Sequence, residues 1–360
     1  MQGSQKKTPD TLDAVWEKIK KAVGTKTFRG IYRTFVFLLA FVTVVVGAAY
    51  GVCAVLLLGP SPAARNILVA TAMETSAARF LPYVFLSPEQ VKEIVEDSAV
   101  KENPWQEVDP GIVEIPSTTD PSQEDEWADH PDGIRVENVK GPTYNGYIMI
   151  IRDPSRVYVA TSSDFKTVGE PGKRIMEVYQ REGAVAAING GGFPDANGSG
   201  NGDVPTGLTF SKGKMLWGSE TGTSKGVVGF NEDNVLLVGS FSGAKAYKYK
   251  MRDCVNFGPV LVMNGEPMRA SSSSGSLNPR TGIGQRKDGA VLFLVLEGRI
   301  ATSLGATYSD MIEVFMRYGA VNACNLDGGS STSLIYNGEQ INQSASLYGP
   351  RRLPTFFMVK

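Results

Sequence analysis

The sequence predicts an α+β fold, with mixed β-sheets and few helices in a C-terminal domain preceded by one transmembrane helix and a stalk. Three observations predict it. An uncharged apolar run occupies 35–58; short apolar runs bounded by Gly, Asn, Asp and Pro turns fill the chain after residue 132; helical periodicity interrupts those runs only around 172–181 and 307–318.

Taken in chain order, 1–34 is a basic segment. Leu12, Val15, Trp16, Ile19 and Val23 recur at helical spacing opposite Lys18, Lys20 and Lys21, which suits an amphipathic helix either resting on an anionic leaflet or simply solvated. The run 35–58 carries no charge and is long enough to cross a hydrocarbon core of ~30 Å. It is too long, and begins too far from Met1, for an ordinary cleaved signal peptide. Lys26, Arg29 and Arg33 join the lysines before it while Arg65 stands nearly alone after it, so the positive-inside rule puts the N-terminus in the cytoplasm and the rest of the chain outside. Within 59–131, Ser87-Pro88-Glu89-Gln90 has the form of a capping box opening a helix to about Asp97. The Pro-, Ser-, Thr- and acid-rich stretch that follows reads as an extended stalk.

From 132 to 360, runs at 147–151, 157–160, 184–188, 227–230, 235–238, 260–263, 291–296, 321–326 and 355–359 read as strands. The first helix starts near Pro171, turns Ile175, Met176 and Tyr179 inward and stops at Gly183. The second opens on Thr307 and Asp310 as a capping box and carries Met311, Ile312, Phe315 and Met316 before Gly319.

Composition narrows the chemistry. A formal net charge of -1 over 360 residues gives no electrostatic footprint for nucleic acid. The only histidine, His130, lies in the acidic stalk, so no Ser-His-Asp or Cys-His arrangement can be built and no His/Cys cluster offers a zinc site. Three cysteines are too few for a disulfide scaffold, although Cys254 and Cys324 could pair if adjacent. The loop Asp195 to Asp203 alternates oxygen-bearing and small residues like a calcium loop, but Thr206 stands where an EF-hand needs Glu, and a mobile lid is the reading preferred over metal binding. No cofactor is implied; the work falls to carboxylates, arginine, hydroxyls and backbone amides.

The most informative stretch is Asn325-Leu326-Asp327-Gly328-Gly329-Ser330-Ser331-Thr332, an apolar strand delivering a carboxylate into a glycine and hydroxyl turn. Glycines allow backbone N–H groups to approach an anion, so Gly190, Gly191, Gly328 and Gly329 could form a nest, with Ser330 and Ser331 adding hydroxyl donors. Arg280 suits a phosphate because a guanidinium spans two oxygens, or else it pairs with a structural acid. Asp327 suits a catalytic carboxylate that either attacks a carbon or activates water. Glu297 or Asp195 could supply a second carboxylate, and Glu297 could equally be a turn residue.

Four blocks together carry a resemblance: Ala187-Ile188-Asn189-Gly190-Gly191-Gly192-Phe193, Phe257-Gly258-Pro259-Val260-Leu261-Val262 followed by Asn264-Gly265, Pro279-Arg280-Thr281-Gly282-Ile283-Gly284-Gln285, and the Asp327 block followed by Arg351-Arg352-Leu353-Pro354. In order and spacing, 132–360 resembles the phosphodiester glycosidase family. Gly192 stands where the family pattern places a second aromatic, and Ser330 where many members carry a third glycine. The resemblance implies a hydrolase acting on sugar-1-phosphate diesters, with Thr281 among the substrate-binding residues and the amides of Asn189 and Asn325 beside the sugar. With the predicted topology, the substrate is expected to be an envelope glycan or exopolysaccharide. The competing reading is a non-catalytic polysaccharide-binding or assembly protein using the same grip.

Overall fold

The computed structural model describes residues 11–23, 26–75, 78–101, 106–115, 127–195, 198–270, 276–346 and 349–360. The chain divides into two compact units, Met1–Pro60 and Ser61–Lys360. The first contains α1 (Thr11–Val23) and α2 (Lys26–Leu58). Within α2, Phe28–Leu58 is long and apolar enough to cross a membrane by length and composition. Most of its side chains, Phe37, Phe41 and Val44 among them, are exposed rather than packed.

The second unit opens with α3 (Pro62–Glu74), which Ser61 caps and Pro62 starts, and α4 (Pro88–Asp97). The capping box at Ser87 is formed as the spacing predicts: its hydroxyl accepts from the Gln90 N–H, and the Gln90 side chain accepts from the Ser87 N–H. The segment read as a stalk does not stand away from the domain where it is described. Val108 and Val113 are buried in the main core, and Lys101 bridges to Arg269. The two valines remove apolar surface from water, and the Asp109 N–H, donating to the Asn264 side-chain oxygen at 2.8 Å, helps to hold the stretch.

Three antiparallel sheets follow. A seven-stranded sheet runs in the order β1 (Ile134–Lys140), β2 (Asn145–Ile151), β13 (Val291–Leu296), β12 (Arg280–Arg286), β14 (Ala320–Leu326), β10 (Val260–Met263) and β11 (Glu266–Pro267). A five-stranded sheet runs β16 (Glu339–Gln340), β15 (Leu334–Tyr336), β4 (Ala186–Asn189), β17 (Thr355–Val359) and β3 (Val157–Thr161). The other five-stranded sheet is β6 (Lys214–Trp217), β5 (Thr209–Ser211), β9 (Met251–Asn256), β7 (Ser224–Asn231) and β8 (Leu236–Phe241). Strands outnumber the helices, which here are α5 (Ile175–Glu182), α6 (Gly243–Lys248) and α7 (Tyr308–Arg317), so the α+β assignment stands.

The central core lies where the inner faces of all three sheets meet, with Met149, Ile188, Phe230, Phe293 and Phe357 buried together. The alternation of β2 shows how the layers arise: Met149 and Ile151 face this core while Ile148 and Ile150 point to a second one under α7. On α7, Met311, Ile312 and Phe315 are buried as expected, but Met316 is exposed and Val314 takes the inward position. On α5, Ile175 and Val178 are buried, while Met176 and Tyr179 pack only partly against the sheet.

The seven-stranded sheet admits α7 closely because β12 carries glycines. A Cβ on Gly282 would meet Met311 and Phe315 at 2.8 and 2.9 Å. Replacing Gly282 by Val is therefore expected to lower stability by about 1–3 kcal/mol, the usual range for overpacking, measured as a reduced urea midpoint of the full chain at unchanged slope.

Candidate active site

The register of β12 on β14 pairs Thr281 with Leu326, so the next residues outward, Arg280 and Asp327, leave neighbouring strands at the same end of the sheet. Both open on one cleft of about 950 Å³, whose wall also includes Gly328, Gly329, Ser330, Ser331, Asp195 and Arg351. Two residues far apart in sequence are thus brought together by strand pairing alone.

Asp327 is partly exposed as a residue, yet its Oδ2 is out of solvent contact and has no hydrogen-bond partner. Burial raises its carboxyl pKa to about 7, against a hydrogen bond from Ser331 and the positive charge of Arg351, which pull it down. Its backbone is fixed from the neighbouring sheet. The Asp327 N–H donates to the Gly190 carbonyl at 3.1 Å, and the Asn189 side-chain amide donates to the Asp327 carbonyl at 2.5 Å.

Arg280 is buried. Its Nε donates to the Ala306 carbonyl at 3.1 Å, one Nη donates to the Ser276 carbonyl at 2.7 Å, and the guanidinium lies 4.1 Å from the centre of the Tyr308 ring. The other Nη reaches Glu74 at 3.4 Å. That carboxylate also accepts from the Ser276 hydroxyl and, at 2.8 Å, from the Asn278 amide. The Asn278 side-chain oxygen in turn accepts from Arg299 Nε at 3.1 Å and from Nη2, which also donates to the Thr75 hydroxyl at 3.3 Å. On another wall, Arg351 clamps Asp195 through two bonds of 2.6 and 3.0 Å and lies 4.8 Å from the centre of the Phe193 ring. The Arg351 hydrogen bond holds the Asp195 carboxyl below the ordinary range, against the opposing effect of burial.

Residues 182–360 match the sequence model of the phosphodiester glycosidases, a span that includes Asn189, Arg280 and Asp327. The C-terminal domain belongs to the phosphodiester glycosidase family. The SPbeta prophage-derived uncharacterized protein YomE of Bacillus subtilis (strain 168) is 30% identical over 191 residues, 51% of this chain and 28% of YomE, so the chain spans little more than a quarter of that relative's length. The solved catalytic domain of zebrafish N-acetylglucosamine-1-phosphodiester alpha-N-acetylglucosaminidase, auto-inhibited by its pro-peptide, shares the fold at a TM-score of 0.52 and 19% identity, covering 63% of this chain and 81% of that one. A hypothetical protein from Synechocystis aligns at a TM-score of 0.45 and 16% identity, covering 63% of this chain and 62% of its own.

Within this phosphodiester glycosidase domain, several residues singled out from sequence stand behind the cleft rather than on its wall. Glu297 is buried and turned away; its carboxylate accepts from the Gln343 N–H at 2.6 Å. Asn189 and Asn325 are fully buried framework. The Asn189 carbonyl oxygen accepts from the Thr281 hydroxyl and the Ser333 N–H, both at 3.0 Å, and Asn325 donates to the Gly258 carbonyl at 2.8 Å. Thr281, spent on Asn189, is likewise buried. The glycine amides are largely used as well: Gly190 donates to the Thr355 carbonyl, Gly191 to the Thr355 hydroxyl and Gly329 to the Pro279 carbonyl. Glycine is required at 190 for close passage, since a Cβ there would sit 2.6 Å from the Thr355 oxygen.

In the loop compared with a calcium site, Asp195 is taken by Arg351 and the Gly200 N–H, and Asp203 accepts from the Gly169 N–H; residues 196–197 lie outside the described residues. Cys254 and Cys324 are buried free thiols and do not pair. Sequence reading missed Glu74, Arg299, Ser276 and Asn278. Arg299 follows directly on the Leu296-Glu297-Gly298 turn, but Glu74 gave no signal, being the last residue of a helix outside the family match.

The raised Asp327 pKa fixes a stability trend. Between about pH 4 and 7 the folded chain retains a proton that the unfolded chain releases, so this residue's contribution is fully present below pH 4 and lost as pH rises through 7. Asp327→Asn is expected to stabilise the protein by about 1–3 kcal/mol at pH 8 and to leave it nearly unchanged at pH 4, read from urea unfolding at both pH values.

Proposed function

We propose that the domain is a hydrolase that cleaves the glycosidic bond of sugar-1-phosphate diesters in envelope glycans. The observation that carries the reading is the convergence of Asp327, with its carboxyl poised near neutrality, and the buried Arg280 on a single glycine-walled cleft. Membership of the phosphodiester glycosidase family supports it.

The geometry suits that reaction for a simple reason. A phosphate monoester leaves from an anomeric carbon as a stable anion, so the site needs little proton donation to the leaving group. Arg280 is held in place by backbone carbonyls and the Tyr308 ring, which lowers the entropic cost of gripping phosphate oxygens. As the glycosidic C–O bond breaks, its electron pair stays with the phosphate oxygen. Oxygen from water ends on the anomeric carbon, and the proton it sheds passes through Asp327 to solvent. Direct attack by the carboxylate and activation of water both require ionised Asp327. Of the other carboxylates on the cleft, Asp195 is neutralised by Arg351 and Glu74 by Arg280.

We further infer that α2 anchors the chain in a cell membrane, with the basic residues before it in the cytoplasm and the domain outside. This arrangement makes an extracellular glycan the accessible substrate.

The test uses the full chain in detergent with α- and β-linked hexosamine-1-(methyl phosphate) diesters, following reducing-sugar release. Turnover should rise with pH to a plateau above about 7; a rate that falls through that pH would assign Asp327 as a proton donor instead. Asp327→Asn should lower kcat by about 10²–10⁴-fold while leaving binding. Arg280→Lys should raise KM about tenfold, because an ammonium cannot hold the Ala306 and Ser276 carbonyls and still present an oriented donor to the phosphate. A non-catalytic binder would release no sugar in any form.

A further inference from the structure

We propose that the cleft recognises a sugar flanked by two phosphates, an internal unit of a glycosyl-phosphate polymer, with Arg280 and Arg299 taking the phosphate at the anomeric side and Arg351 and Arg352 the phosphate beyond the sugar. The assignment rests on the hydrolase reading above and names its substrate class.

Charge is the first argument. Six arginines, Arg79, Arg174, Arg280, Arg299, Arg351 and Arg352, line the cleft against the three carboxylates Glu74, Asp195 and Asp327. A single phosphodiester carries one negative charge and leaves most of that excess unmet. Arg299 makes the point individually. Its side-chain partners among the described residues are the neutral Asn278 side-chain oxygen and the Thr75 hydroxyl. Exposed on the cleft wall beside Arg280 and without a carboxylate of its own, it is available to pair with an incoming anion. Arg352 is similarly under-compensated: it donates to the Gly172 carbonyl, and its nearest acid, Glu177, is 3.9 Å away.

Placement is the second argument. Arg280 opens β12 and Arg299 lies in the turn after β13, so this pair is built on the seven-stranded sheet. Arg351 and Arg352 stand just before β17, and the Arg351 partners Phe193 and Asp195 follow β4, so the second pair is built on the five-stranded sheet. Asp327 sits at the junction, hydrogen-bonded across to Gly190 and Asn189. The two guanidinium pairs therefore flank the carboxylate from different sheets. A sugar whose anomeric carbon faces Asp327 presents its own phosphate toward one pair and a substituent on another ring hydroxyl toward the other. The cleft, at about 950 Å³, has room for more than one sugar and one phosphate. Asp195 keeps Arg351 oriented until the second anion arrives, as the bidentate pair and the Phe193 stack indicate.

The experiment compares N-acetylglucosamine-1-(methyl phosphate), as both anomers, with the same compounds bearing a second methyl phosphate on O4 or O6, using the full chain at low ionic strength. At least one doubly phosphorylated isomer should show kcat/KM ten or more times higher, and Arg352→Gln should shrink that ratio to threefold or less. A ratio below tenfold for every isomer, or one that Arg352→Gln leaves intact, overturns the proposal while the hydrolase reading survives. If no compound is turned over, the hydrolase reading fails. Competition binding with the matching non-hydrolysable phosphonates then decides the charge reading by the same tenfold criterion.

Discussion

The buried side chain of Asn189 is the constraint on which the site depends. Its amide nitrogen holds the Asp327 carbonyl and its oxygen takes the Thr281 hydroxyl and the Ser333 N–H, so one residue at the end of β4 fixes β12, the end of β14 and the chain entering β15. With three hydrogen bonds satisfied inside the protein, any shift of one strand leaves a buried polar group unpaired, at a cost of about 1–3 kcal/mol. The two sheets are thereby locked in the relative position that puts Asp327 over the cleft. The amide's role is geometric, although the same residue type suggested contact with sugar.

That fixed frame allows the electrostatics to be unusual. A mobile aspartate would turn toward solvent and keep an ordinary pKa; Asp327 is held by its backbone and leaves Oδ2 unsatisfied. An unpartnered acceptor in an otherwise well-bonded region is a strain the remainder of the fold sustains. The arginines around it raise the local potential without touching that oxygen, so the carboxylate can exchange its charge near neutrality.

What the sequence made legible follows from burial. Val260–Met263, Val291–Leu296 and Thr355–Val359 are buried at every position and read as strands with the observed limits. β12 was harder because Gly282 and Gly284 thin its apolar signal, yet those glycines are what let α7 approach. Strands such as β9, with Arg252, Asp253 and Asn256, hide behind side chains whose charges are paired or bonded only in the folded state. At the site, Asp327 was visible because it follows a strand directly before two glycines, and Arg280 because it opens one between Pro279 and Gly282. Glu297 looked as suitable as any acid, but its backbone context gave no hint that Gln343 would claim it. Glu74 was invisible because its meaning comes wholly from tertiary neighbours.

Glu74 and Thr75 also settle where this enzyme-like unit begins. Ser276, Asn278, Arg280 and Arg299 all direct hydrogen bonds or charge to these two residues, which precede the first strand by some distance along the chain. A truncation starting at β1 would keep every residue of the family match and still strip one wall from the cavity, together with the Val108 and Val113 contacts to the core. The minimal portable module is therefore longer than homology alone delimits, and its proper left-hand border is Ser61.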